Sequence, residues 1–265
     1  MQPGPIIGII VALIAILLGN VLEGGHLGSI VGGPAALIVL GGTIGAVMVQ
    51  YPIGTLKGAV KAGLGLFKKP LEDKAKLLEE LVDYANRARR DGILALEKVA
   101  ETASDPFLKK ALMMAVDGAD ATTLTGTMEL AIGQEEEHGE DHAKAFEAAG
   151  GYAPTVGIIG AVLGLIHVMS NLSDINAVGE GIAGAFVATI YGVAFANIIF
   201  LPMGTRIKLA VRDKVQAREM VLAGVLAIQG GMNPKLVRER LSEYVHGGHG
   251  VKAGAAGGAP ASAAA

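Results

Sequence analysis

Cysteine and tryptophan are absent from this chain, and aromatic residues make up only 4% of it. The lack of cysteine removes disulfides, thiolate ligands and haem attachment from consideration. Lys and Arg are missing as well from two long stretches, the first 56 residues and Gly150–Thr205. A secretory signal needs a basic start, so Ile6–Leu22 reads as a retained span. The net charge of −3 argues against nucleic acid as a partner. The glycine-rich segments have neither a Walker pattern nor a strand leading into GxGxxG, and no Ser-His-Asp arrangement is legible. These absences point away from an enzyme and from a bound cofactor.

What is present is apolar and small. Of 265 residues, 51% are hydrophobic and 39 are glycine, a composition suited to tightly packed membrane helices. Four apolar runs, Ile6–Leu22, Ile30–Gln50, Thr155–Leu172 and Gly181–Leu201, each approach the ~20 residues that a helix needs to cross a bilayer. They form two hairpins, joined by Glu23–Ser29 and Ser173–Glu180. All 22 Lys and Arg lie in two blocks, Lys57–Lys144 and Arg206–Lys252. The positive-inside rule therefore puts both blocks and both termini in the cytoplasm, the remainder in the lipid bilayer. The expected fold class is all-α, a polytopic membrane protein of four transmembrane helices with a helical cytoplasmic domain. Its divisions are a first hairpin (1–56), a cytoplasmic helical domain (57–149), a second hairpin (150–204), C-terminal helices (205–246) and a low-complexity tail (247–265).

Small residues recur at helical spacing in the second hairpin: Gly157 and Ala161, Gly160 and Gly164, then Gly184, Ala188, Gly192 and Ala196. Such stripes permit close backbone approach, within the chain or between subunits. None of the four runs contains Asp, Glu, Lys or Arg, and His167 is the one ionisable side chain inside them. It reads as a neutral hydrogen-bonding group. Thr155 and Thr189 are the notable hydroxyls, expected to bond back to a carbonyl four residues earlier. If the chain conducts ions, another polypeptide must bring the carboxylate.

In the cytoplasmic block, Pro70-Leu-Glu-Asp is expected to open a helix whose apolar stripe runs through Leu77, Leu81 and Ala85 to Gly92, Leu96 and Val99. Asp105-Pro106 restarts the chain into Phe107–Val116, and further helices are expected over 121–149, 206–229 and 235–245. His138 and His142 sit at i,i+4 among acids, but the order is not His-Glu-x-x-His, and they read as a solvated helix face rather than a metal site. On a continuous helix at about 100° per residue, Arg90 and Glu97 project within about 20° of each other, with Arg89 about 80° away. Mixed charge on one side suits a partner of alternating charge.

The segments Arg89-Arg-Asp-Gly-Ile-Leu-Ala-Leu-Glu97, Gly151-Tyr-Ala-Pro-Thr-Val-Gly-Ile-Ile-Gly-Ala161, Ala185-Phe-Val-Ala-Thr-Ile-Tyr-Gly192 and Gly230-Gly-Met-Asn-Pro234 resemble the A subunit of the bacterial flagellar motor stator, the MotA/PomA family. The resemblance runs from Ile6 to Tyr244. It implies a pentamer around a dimer of MotB-type single-span subunits that carry the ion-binding aspartate. Proton flow through that complex in the inner membrane would turn the ring against the rotor switch protein of the flagellar C-ring. On this resemblance Arg89 or Arg90 and Glu97 face the rotor, Pro154 and Pro202 couple ion binding to movement, and Thr189 lies nearest the aspartate. Sodium-driven members are expected to carry a threonine seven positions after the proline that opens the third span. Ala161 stands there, and Thr155 is too near the cytoplasmic end to replace it, so the transported ion is expected to be H+. The alternatives are an ExbB/TolQ-type energiser, expected to have three spans, and a small secondary transporter, disfavoured by the lack of an inverted repeat.

Overall fold

A computed structural model describes residues 3–68, 73–170 and 172–246. The tail 247–265 and the Pro70 helix start lie outside the described residues. Among the described residues every regular element is helical: α1 (Pro3–Leu22), a 3-10 turn (Leu27–Ile30), α2 (Gly33–Ala36), a π-helical stretch (Leu37–Gly41), α3 (Gly42–Gln50), α4 (Ile53–Lys68), α5 (Lys74–Asp91), a second 3-10 turn (Ile93–Leu96), α6 (Glu97–Ala100), α7 (Pro106–Val116), α8 (Ala121–Ser170), α9 (Ile175–Ala194), a second π-helical stretch (Phe195–Phe200), α10 (Leu201–Gln229) and α11 (Pro234–His246). Among the described residues four helical runs are long and apolar enough to cross a membrane, within Gly4–Leu22, Leu27–Gln50, Ala121–Ser170 and Ile175–Gln229.

Two of these runs correct the sequence reading. The helix over 121–149 and the third span are one 50-residue helix with Pro154 inside it, not at its start. At 1.5 Å per residue this helix is about 75 Å long, more than twice a bilayer core of roughly 30 Å. Pro154 removes the hydrogen bond to the Gly150 carbonyl, a loss of about 3 kcal/mol in an isolated helix. Here the neighbouring helix packs closely against the turn that precedes the proline. A Cβ on Gly150 would lie 2.5 Å from Leu201 Cδ2, and one on Gly192 would lie 2.5 Å from the Ala153 carbonyl oxygen. Packing overrides the local defect.

The fourth helix starts at Ile175 rather than Gly181, because the Asp174 side chain accepts from the N–H groups of Asn176 and Ala177 and caps it. Most of the expected connection Ser173–Glu180 is thus helix. Pro202 does not close this span. Helix continues through it into α10, directly after the π-helical stretch Phe195–Phe200. A wide turn moves the carbonyl four residues before proline out of the path of its ring, which lets the helix pass without a break.

The chain divides into two compact units. The first comprises the described parts of Met1–Glu72 and Glu129–Val215. Within it α8 and the α9–α10 run pack antiparallel along a seam of small residues. Gly164 meets the Gly181 carbonyl and Ala185, Gly160 meets Ala188, and Gly157 meets Ala188 and Gly192. Further along, Gly204 lies against the Ala143 carbonyl and Gly139 against Val211. Where the seam leaves the apolar stretch it continues as ion pairs, Lys208 with Glu147 at 2.7 Å and Lys214 with Glu135. Ala35 and Val39 of the first hairpin bury against Val187 and Ala188 of the second, beside Tyr191 and Phe195.

The second unit comprises the described parts of Asp73–Met128 and Gln216–Ala265. Its core is built from large side chains: Leu81, Leu96, Leu108, Leu112, Leu124, Met128, Met220, Val225 and Leu241 are all fully buried. Asp73 caps α5, accepting from the Lys76 N–H at 3.0 Å. Asp105 caps α7 through the N–H groups of Phe107 and Leu108, and its Oδ1 also takes Arg218 Nη1 at 2.5 Å. The Arg218 guanidinium sits 5.0 Å over the Phe107 ring.

Candidate functional site: a membrane hairpin and a charged turn

In the membrane unit, Thr189 is half-buried and its hydroxyl donates to the Ala185 carbonyl at 3.2 Å. Thr155 is exposed and donates to the Tyr152 carbonyl at 2.8 Å, three residues back rather than four. Ala161 and Thr189 each follow the Gly160–Ala188 contact by one residue on antiparallel helices, which sets them about 3 Å apart along the hairpin axis. Ala161 is half-buried and offers a methyl group there. His167 is exposed.

The small-residue stripes divide by use. Gly157, Gly160, Gly164, Gly181, Ala188 and Gly192 are spent on contacts within the chain, whereas a Cβ on Gly184 would meet nothing within 4 Å. Two hydroxyls escaped the sequence reading. Tyr191 donates to the Ile30 carbonyl at 2.8 Å and accepts from the Gly32 N–H at 3.1 Å, tying the second hairpin to the entry of the first. A lone phenol in an apolar run next to a glycine was the available signal. Thr43 is fully buried, and its Oγ1 has no hydrogen-bond partner among the described residues.

In the second unit the expected single helical face carrying Arg90 and Glu97 does not exist. Helix α5 ends at Asp91, and Gly92 follows with φ of +84°, a conformation that only glycine adopts without strain. The chain then makes a 3-10 turn, whose Leu96 is 1% exposed, before Glu97 opens α6. Angular spacing along one helix therefore says nothing about Arg90 and Glu97.

The two arginines differ. Arg90 makes a forked contact with its neighbour Asp91, with Nε and Nη2 at 3.0 and 2.9 Å from the carboxylate. The contact holds the Asp91 carboxyl below its usual range, although both side chains lie in solvent. Among the described residues Arg89 makes no such pair; it borders a cavity of about 170 Å³ with Ala88, Ile93, Gln229, Gly231 and Met232. Between Arg89 and Glu97 the turn presents Leu94, 69% exposed. The far wall is shaped by the stop of α10. Met232 N–H bonds to the Ala227 carbonyl and Gly231 N–H to Ile228, with Gly231 at φ +68°. Asn233 then caps α11 ahead of Pro234 by accepting from the Lys235 N–H. The Gly-Gly-Met-Asn-Pro segment is thus a helix stop and restart that carries Met232 to the side of Arg89.

The expected solvated helix face is partly packed. The His142 ring fits against Gly58 and would have to shift to admit a Cβ there. Burial, with the nearby His138, pushes the His142 imidazole below its usual range, opposed by Asp141.

The chain is similar to known proteins over most of its length. Residues 99–220 match the model of the MotA/TolQ/ExbB proton channel family, and residues 6–92 match Motility protein A N-terminal. The chain is 36% identical to Motility protein A of Bacillus subtilis over 249 residues, 92% of this chain and 91% of that one. Its fold matches a structure of C. jejuni MotAB with TM-score 0.88 at 32% identity, covering 92% of this chain and 96% of that chain. It also matches the flagellar MotAB stator complex from Bacillus subtilis, with TM-score 0.84 at 34% identity over 91% and 95% of the two chains.

Proposed function

The chain belongs to the motility protein A family, an ion-channel subunit of the flagellar stator and a multi-pass inner-membrane protein, and from that premise we propose that it couples H+ flow to rotation. The observation carrying this reading is the combination of four spans with no acid in their apolar runs and one small-residue face left open at Gly184. A single-span MotB-type partner supplies the aspartate, five copies of this chain surround two of the partner, and both termini lie in the cytoplasm. Thr189 is the hydroxyl nearest the aspartate. Ala161 leaves no oxygen where a sodium ion would need one, because a hard cation must replace its water shell with oxygen ligands. The chain works through assembly and movement rather than catalysis and needs no cofactor beyond the ion.

Pro154 and Pro202 are the coupling points. Each leaves a carbonyl in a continuous helix without its usual donor, so bending there breaks no backbone hydrogen bond at that carbonyl. Pro154→Ala is expected to keep assembly and abolish rotation.

Arg89 and Glu97 dock on the rotor switch protein, with Leu94 between them as an apolar contact. Arg89 is favoured over Arg90 because Asp91 already neutralises Arg90. Native mass measurement of the chain coexpressed with its single-span partner in mild detergent is expected to give five to two. A monomeric chain under those conditions contradicts the assembly.

A further inference from the structure

From Gly24 to Leu71 the chain has no Asp or Glu, and its lysines there are Lys57, Lys61, Lys68 and Lys69. Two of them fall on one face of α4. At about 100° per residue, Ile53, Lys57, Val60, Lys61 and Leu64 project within roughly a 100° arc. Ile53, Val60 and Leu64 are 60%, 57% and 59% exposed, and both lysines are exposed. An exposed stripe of large apolar side chains with cations and no acid is the pattern of a helix lying in an anionic lipid interface.

Beneath this helix lies a cavity of about 220 Å³ between α3, α4 and α8. Val47, Ala59 and Ala149 form its buried floor, and Ile44 and Val60 stand exposed at its rim. The cavity therefore opens outward, at the helix that carries the lysines. An apolar cavity of ~150 Å³ already stays dry and accepts benzene, so this one is large enough for a stretch of acyl chain.

We propose that this cavity binds an anionic phospholipid, with an acyl chain between α3, α4 and α8 and the headgroup phosphate on Lys57 and Lys61. A zwitterionic lipid offers the same chain without the net charge. Selectivity therefore rests on the two lysines, and the fit of the chain rests on the cavity.

The chain has no tryptophan, so Phe146→Trp, on the cavity wall, gives a signal that nothing else in this chain supplies and that is read against the unsubstituted complex. The full chain with its membrane partner is reconstituted in phosphatidylcholine vesicles containing a minor fraction of dibrominated phosphatidylglycerol or, in parallel, dibrominated phosphatidylcholine. Brominated phosphatidylglycerol is expected to quench at about tenfold lower mole fraction. Lys57→Gln/Lys61→Gln should bring the two lipids together. Equal quenching by both lipids in the parent would reduce the site to ordinary lipid contact and overturn the proposal. So would a phosphatidylglycerol preference that survives loss of both lysines. Absence of quenching by either lipid would mean that a neighbouring copy covers the cavity, and overturns it too. Native mass measurement of the unsubstituted complex tests the same point independently of the tryptophan: phosphatidylglycerol should stay bound, and Lys57→Gln/Lys61→Gln should release it.

Discussion

The two units of this chain hold themselves together by opposite means. In the membrane unit the contacts along the α8 seam are backbone against backbone, with Gly157 beside Gly192 and Gly164 beside the Gly181 carbonyl. In the other unit the core is leucine, methionine and valine, supported by a mostly buried ion pair between Asp105 and Arg218. Lipid explains the contrast. Hydrocarbon gives no reward for burying a leucine side chain, so association comes from close approach and dispersion; water gives that reward at every leucine. The same residue change should therefore have opposite consequences in the two units.

The sharpest break in the comparison is Gly192→Leu. Its Cβ would fall 2.5 Å from the Ala153 carbonyl oxygen, a backbone atom that cannot move aside. Folded yield in detergent and swimming should both be lost, although the change adds apolar surface. Gly184→Ala, on the same helix with open space around it, should keep folded yield within the scatter of the parent. If both variants fold equally well, the seam is not what holds the hairpin.

The second break is Asp105→Ala, which removes the carboxylate paired with Arg218 and the α7 cap. Removing one member of a buried pair costs about 3–5 kcal/mol, read as a lower denaturation midpoint of the second unit. Burial alone would raise the Asp105 carboxyl. The Arg218 hydrogen bond and the α7 N–H groups outweigh burial and hold the carboxyl below its usual value. A depressed carboxyl stabilises the fold above the unfolded value of about 3.9 and loses that contribution as pH falls through the lower folded value. Acid denaturation should thus steepen below about pH 4 in the parent and flatten in Asp105→Asn.

The smallest structural effect, and the most informative functional one, concerns the arginines. Arg89→Glu should leave the denaturation midpoint unchanged while impairing swimming, with partial recovery when a rotor charge is reversed. Arg90→Glu should impair swimming less, because Asp91 already screens that side chain. Equal impairment would erase the distinction drawn between them.

Much of the membrane unit was legible in the sequence, because glycine spacing and apolar length each have one dominant physical cause. The partner of each small-residue stripe was not. Gly157 can face a helix of its own chain or of another, and spacing cannot distinguish them. The helix ends misled for a related reason. Pro154 and Pro202 are local stop signals, and long-range packing overrode both. Asp174 was legible as a cap only once the helix after it was known to start at Ile175. In the second unit the Asp105 cap was foreshadowed by Asp105-Pro106. Its pairing with Arg218, 113 residues away, left no mark in local sequence. Gly92 was counted as part of an apolar stripe, yet its positive φ ended the helix and undid the angular argument for Arg90 and Glu97.

The central claim is that this chain, having no acid in its spans' apolar runs and a methyl group at Ala161, works with protons. Swimming speed of cells whose only stator is this chain with its native partner tests it directly, measured in sodium-free medium and again with a protonophore in sodium-rich medium. The account predicts normal swimming without sodium and arrest by the protonophore. Arrest without sodium, together with swimming that survives the protonophore, would contradict it.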